Sequence, residues 1–252
     1  MKPGRKPKTP LYNEEDYTFT LSKNIMIRNE FTGGIVYGVQ RLGKTAYGMK
    51  VGFDIFRAEC HSDVKAWDMV FDHMFFKLGD MVAFLREKIA HDKKASFCLW
   101  DDAGLHANKL VYFTDTTFAE LIQNLFDVMG IATRGILLTT PVPGNLLKSL
   151  RDYEFLKIKI SKANSNHARI AKAYTPNLLP SGRVYIGSLF EDRFSKLLPD
   201  DVYKRYVPIR SQYLVEALDN LDKAIEEKNL QQCIKEHELQ EMRNKLEKAT
   251  NA

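Results

Sequence analysis

The 252-residue sequence holds no apolar run near the ~20 residues that a membrane-spanning helix requires, so no bilayer span is expected. Its first ten residues, MKPGRKPKTP, lack an apolar h-region, and a cleavable secretory signal is not expected either. Cysteine is scarce. Cys60, Cys98 and Cys233 lie far apart with no CxxC spacing, which speaks against a disulfide scaffold and a zinc ribbon and fits a reducing cytoplasm. The six histidines are scattered, and neither HExxH nor a closely spaced His pair offers zinc ligands. There is no internal repeat and no helix-turn-helix signature. An Asn-Lys-x-Asp run, which would read guanine, is also missing.

Charge is present but unevenly spread around a net +5. Lys2, Arg5, Lys6 and Lys8 precede any acid and sit among prolines, so residues 1–16 are read as a flexible basic arm. Residues 153–213 carry eleven Lys/Arg against five Asp/Glu, whereas residues 214–252 carry six against nine. A basic arm, a basic segment and an acidic tail on a near-neutral body permit contact with nucleic acid.

Three short apolar runs read as buried strands, 34–38, 96–100 and 135–140, and 155–160 reads as a further strand. The last alternates strictly, with Leu156, Ile158 and Ile160 opposite Lys157 and Lys159. Residues 169–174 and 183–186 are candidate further strands, joined by a turn at 176–182. Helical spacing is expected over 44–58, 62–90 and 116–129, with Asp115 as N-cap of the last. In 62–90 the stripe Trp67, Val70, Phe71, Met74, Phe75 reads as core, and Gly79 marks the place where one helix would become two. Leu214, Leu218, Leu221 and Ile225 form a heptad seam, continued less regularly by Leu230, Ile234, Leu239, Met242 and Leu246. The expected organisation is the arm, a main domain over 17–200 and a helical tail over 201–252.

One motif carries chemistry. Gly38-Val-Gln-Arg-Leu-Gly43-Lys44-Thr45 matches G-x-x-x-x-G-K-[ST], between a buried strand and a helix. Glycines let backbone N–H groups curl into an anion nest, and the next helix points its N-terminal N–H groups at the same anion. Gly38, Gln40, Arg41, Gly43, Lys44, Thr45 and Ala46 are therefore the expected nucleotide-binding residues. Lys44 would reach the β- and γ-phosphates and Thr45 the Mg²⁺ ion. Arg41 stands where many such loops have a further glycine.

The strand Phe97-Cys-Leu-Trp ends in Asp101-Asp102, a Walker B arrangement. Asp101 is the expected metal partner and Asp102 the expected group orienting the attacking water. Strand 135–140 ends in Thr139-Thr140, either of which could sense the γ-phosphate, with Thr140 the catalytic candidate. Arg151, and less so Arg134, is a candidate arginine finger acting on a neighbouring copy.

Taken in order, GVQRLGKTAYGMKV, KAWDMVFDHMFFKLGD, LWDDAG, ILLTTPVPGN and LPDDVYKRYVPIRSQY resemble an ATPase family encoded by fuselloviruses and related archaeal plasmids, over about residues 30–215. The resemblance implies an α/β P-loop NTPase of the ASCE type, described as similar to the initiator DnaA and the AAA+ class. It implies ATP and Mg²⁺ as cofactors and the host cytoplasm as location. Three features depart from AAA+: no convincing strand between the P-loop helix and Walker B, Asp102 instead of glutamate, and strands where a helical lid is usual. A RecA-like or packaging-type core is the alternative.

The leading functional expectation is a Mg-ATPase acting on viral or plasmid DNA in replication initiation or helicase loading, with oligomerisation. Lys157, Lys159, Lys162, Arg169 and Lys172 would contact DNA phosphates. The alternatives are a DNA-packaging or virion-assembly motor, and a nucleotide-gated interaction protein whose C-terminal helices bind a replication or packaging partner.

Overall fold

In a computed structural model of the chain, the described residues are 17–28, 30–105, 107, 116–153, 155–178 and 184–250. The basic arm, Asp115 and the tip between the last two strands lie outside them. The chain divides into two compact units, Met1–Leu198 and Pro199–Ala252.

The first unit is a seven-stranded mixed sheet flanked by helices. In chain order it contains α1 (Thr20–Ile27), β1 (Thr32–Tyr37), α2 (Lys44–Cys60), α3 (Asp63–Asp72), β2 (Met74–Phe75), α4 (Leu78–Ala90) and β3 (Cys98–Trp100). There follow α5 (Thr116–Val128), β4 (Gly135–Thr140), α6 (Lys148–Asp152), β5 (Leu156–Lys162), β6 (Ala168–Leu178) and β7 (Val184–Ser195). The strand order is β2-β3-β4-β1-β5-β6-β7. The first five strands run parallel, and β6 and β7 add antiparallel to β5. Strand β4 thus lies between the strand leading into the glycine loop and the strand ending in Asp101-Asp102.

One face of the sheet, with Ile35, Cys98, Trp100, Ile136 and Leu138, packs on Met81 and Leu85 of α4 and on Ala119, Ile122 and Phe126 of α5. Trp100 and Phe126 stack at 6.2 Å. The opposite face receives α1 and α2. Gly48 matters here: a Cβ on it would lie 2.6 Å from Leu99 Cδ1, so its missing side chain lets α2 press against β3. The start of α1 is held from afar. Asp192 on β7 accepts from the N–H groups of Thr20 and Leu21, and Asp54 on α2 from those of Thr18 and Phe19.

Several expectations are corrected. The span 62–90 is two helices, but the break is at His73–Lys77, and Gly79 is the second residue of α4. Between them lies β2, the strand that the sequence had not revealed ahead of Walker B. Three successive buried apolar residues, Met74, Phe75 and Phe76, suit a strand as well as a helix, and hydrogen bonding to β3 decides for the strand. Strand β6 continues through Pro176 to Leu178, and β7 reaches Ser195 rather than ending at Ile186.

The second unit is one helix, α7 (Asp200–Thr250), which contains Pro208 and carries Asp200 and Asp201 in its first turn, where the dipole favours acids. Leu214, Leu218, Leu221 and Ile225 are exposed. The side chains of Leu230, Ile234, Leu239, Met242 and Leu246 lie outside those described.

Candidate functional site

The glycine loop leaves β1 at its C-terminal edge and turns into α2. Gly38 and Gly43 have φ of 149° and 93°, conformations that L-residues rarely adopt. Arg41, with φ 63°, takes the left-handed conformation without being glycine. Here the missing third glycine is replaced by a strained arginine, and the backbone still turns. Gly43 caps α2, whose first turn has no acidic residue to compete for an anion. Lys44 is buried, and its ammonium donates to the carbonyls of Gly38 (3.1 Å) and Val39 (3.3 Å).

Beside this loop the C-terminal ends of β3 and β4 bring three side chains together. Thr45 donates to both oxygens of Asp101, at 2.8 and 3.1 Å. Thr139 donates to Asp101 Oδ1 at 2.5 Å and accepts from the Asp102 N–H at 2.9 Å. Asp101 and Thr139 are fully buried. The Asp101 N–H donates to the Phe75 carbonyl at 2.8 Å, so the two-residue strand β2 fixes the backbone of this aspartate.

The register explains why Thr139 joins the cluster and Thr140 does not. Leu99 pairs with Leu137, so Asp101 and Thr139 continue on the α2 side of the sheet. Thr140 points to the other side and donates to the Val142 carbonyl at 3.3 Å. Asp102 is half-exposed with φ 50°, a left-handed conformation that aspartate tolerates better than most residues. Gln40 and Arg41 are exposed on the loop, and Ala46 is buried in the first turn of α2. Arg151 lies half-buried on α6. Its carbonyl accepts from Lys157 at 2.5 Å, and none of its described contacts is to the glycine loop. Arg134 precedes β4, at the opposite end of that strand from Thr139, roughly 17 Å away at the usual rise per residue.

The five basic residues do not form one face. Lys157, Lys159 and Lys172 share a side of the sheet, while Lys162 and Arg169 pair with each other on the other side. Arg169 is buried. Its guanidinium donates to the carbonyls of Leu42 (3.2 Å), Asn166 and Ala168, which makes it a brace of the glycine loop.

That brace belongs to a wall the sequence reading missed. Phe194 and Lys196, at and just beyond the end of β7, lie against Gly43, where a Cβ would fall 2.9 Å from Lys196 Cβ. One strand position earlier on the same side, Asp192 accepts the Tyr47 hydroxyl at 2.8 Å. Burial, reinforced by this carboxylate, pushes the Tyr47 phenol far above its ordinary pKa. The signal was available: Phe190, Asp192 and Phe194 alternate, which sets an acid among aromatic residues on an inward face.

The residues present fit a magnesium nucleotide. The loop and the α2 N-terminus present backbone N–H groups and a lysine to phosphate. Thr45 and Asp101 supply a hydroxyl and a carboxylate, hard oxygen donors of the kind Mg²⁺ takes alongside phosphate oxygens. Among the described residues no cluster of three or more His, Cys, Asp or Glu offers a competing metal cage, and no helix is long and apolar enough to cross a membrane.

No protein-family model matches the chain. It is 26% identical over 210 residues to uncharacterized protein B-251 of Sulfolobus spindle-shape virus 1, covering 80% of this chain and 82% of the viral one. Among solved structures it is similar to the N-terminal domain of zonular occludens toxin from Neisseria meningitidis, with TM-score 0.40, 10% identity, and coverage of 69% of this chain and 98% of the toxin domain. A KaiC-like protein from the archaeon Pyrococcus horikoshii OT3 is similar with TM-score 0.34 and 13% identity, over 64% of this chain and 91% of that protein.

Proposed function

We propose that the chain is a Mg²⁺-dependent ATPase acting on viral or plasmid DNA, in replication initiation or helicase loading. The observation that carries the ATPase part is the convergence of Lys44, Thr45, Asp101 and Thr139 at the mouth of a glycine loop. In this reading the loop N–H groups and Lys44 hold the phosphates, and Thr45 with Asp101 holds the metal. Thr139 fixes the rotamer of Asp101, and Asp102 orients water. The Mg²⁺ that Thr45 and Asp101 would hold would supply charge neutralisation at the phosphates. The DNA part is supported by the basic segment that follows Tyr153 and by similarity to a viral protein.

The test is phosphate release from Mg-ATP by the wild type and Lys44→Ala, each without DNA, with single-stranded DNA and with duplex. Turnover that DNA stimulates and Lys44→Ala abolishes is the expected result. Turnover that persists in Lys44→Ala refutes the site.

Asp102 favours a second reading. Its side chain is one methylene shorter than the glutamate common at this place, so hydrolysis is slow or nil and ATP gates an interaction. The exposed Leu214, Leu218, Leu221 and Ile225 would then contact the partner. Tight ATP binding without turnover favours this reading over the first.

A further inference from the structure

The antiparallel extension of the sheet has one covered side and one open side. Register sorts its residues. Ile158, Ile160, Ala171, Ala173, Asp192 and Phe194 share the side that is buried. On the other side Tyr37, Lys159, Lys172 and Glu191 form one row across β1, β5, β6 and β7. Lys157, Tyr174 and Ser188 form the row on one flank of it, and Ile170 with Arg193 the row on the other flank. Lys159, Ser188, Glu191 and Arg193 are exposed, while Tyr37, Lys157, Lys172 and Tyr174 are half-exposed. The Lys172 ammonium lies 6.0 Å from the Tyr174 ring centroid and pairs with Glu191 at 2.8 Å. Tyr37 and Tyr174 are close enough that the second phenol adds to burial in raising the pKa of the first.

Lysine on a sheet edge commonly blocks aggregation. Lys157 and Lys159 are on β5, which is paired on both sides, so that explanation does not apply to them. What the face offers is two rings with accessible surface set among Lys157, Lys159, Lys172 and Arg193, against the carboxylate of Glu191 among the described residues. A strand with unpaired bases fits this chemistry: its bases stack on rings regardless of sequence, and its phosphates meet the flanking cations. A duplex keeps its base faces stacked inside and offers phosphates alone.

We propose that this face binds single-stranded DNA, with Tyr37 and Tyr174 as stacking residues; the proposal rests on the DNA-directed reading above. Tyr37 is followed directly by Gly38, so the bound strand lies one residue from the phosphate loop. Nucleotide and DNA are thereby coupled through the end of β1.

The experiment is fluorescence anisotropy of the full chain with a labelled oligothymidylate of about 16 nucleotides, a length within the range of known single-strand platforms. The same strand as a duplex and an RNA of matching sequence form the other arms. The expected results are binding of the single strand ahead of the duplex, about tenfold weaker binding in Tyr174→Ala, and near wild-type binding in Tyr174→Phe. Lys159→Glu, at an exposed position, lowers the slope of log affinity against log salt by about one. Preference for duplex, preference for RNA, or unchanged binding in both Tyr174→Ala and Lys159→Glu overturns the proposal. If those variants keep DNA-stimulated turnover, the face is wrong and the ATPase reading stands. If single-strand binding depends on the face but Mg-ATP turnover is absent, the DNA site stands and the ATPase reading falls.

Discussion

Replacing Thr139 by valine removes one hydroxyl and keeps the volume, so the change isolates hydrogen bonding at the centre of the site. The hydroxyl donates to the buried carboxylate of Asp101 at 2.5 Å and accepts from the Asp102 N–H at 2.9 Å. A hydrogen bond to a charged group contributes about 1.5–3 kcal/mol and a neutral one about 1 kcal/mol. The expected loss is therefore ~2–4 kcal/mol. In a unit of this size each kcal/mol moves the melting temperature by about 2–4 °C, which gives a fall of roughly 5–15 °C. Thr140→Val is the control, because that hydroxyl makes a single neutral bond of 3.3 Å; its expected cost is below about 1 kcal/mol. Thermal unfolding followed by circular dichroism measures both. A Mg²⁺ titration of phosphate release adds a functional readout, since in the proposed site an Asp101 freed from Thr139 would hold the metal less well. Thr139→Val melting within a degree of the wild type, or Thr140→Val falling further than Thr139→Val, refutes the argument.

Gly48→Ala sets a methyl 2.6 Å from Leu99 Cδ1 in a buried contact. Overpacking of about 1–3 kcal/mol exceeds the ~1 kcal/mol gained in helix propensity, and chemical denaturation should show a net loss, with weaker Mg-ATP binding as α2 carries Thr45 away from Asp101. Arg41→Gly relieves a left-handed residue at φ 63°, and the expected result is a rise in melting temperature worth up to about 1 kcal/mol. Cys98 is fully buried, and burial raises its thiol from 9.0 to about 12. The unfolded chain therefore releases this proton first. The contribution is fully present below pH 9 and is lost between pH 9 and 12, at about 1.4 kcal/mol per pH unit. Urea unfolding across that range should show a shallower decline in Cys98→Ala than in the wild type.

The parts of the fold legible in the sequence were those with an unambiguous period or a fixed spacing. The runs that became β1, β3 and β4 are apolar and bounded by turn residues, the run that became β5 alternates strictly, and the loop at 38–45 has only one common structural meaning. What escaped depended on pairing. Met74–Phe75 is a strand because β3 is beside it, and no local pattern separates it from the helices on either side. Which of Thr139 and Thr140 reaches Asp101 is a matter of parity, fixed only once Leu99 is known to pair with Leu137. The five basic residues were grouped by sequence proximity, and antiparallel pairing split them between two sides, turning Arg169 inward to the glycine loop.

The placement of β4 between β1 and β3 has a consequence for synthesis at the ribosome. The strand that begins the phosphate loop has no partner until residues 135–140 emerge, about a hundred residues later, and its other neighbour follows later still. Thr20 and Asp192 are 172 positions apart. Such long closures make folding slow, because chain entropy is lost before the contacts form. A nascent chain shorter than about 140 residues has the nucleotide motif in full but no framework to hold Thr45 against Asp101. For the ATPase proposed above, nucleotide capture by the growing polypeptide would thus be a late event, reporting that the central sheet has closed.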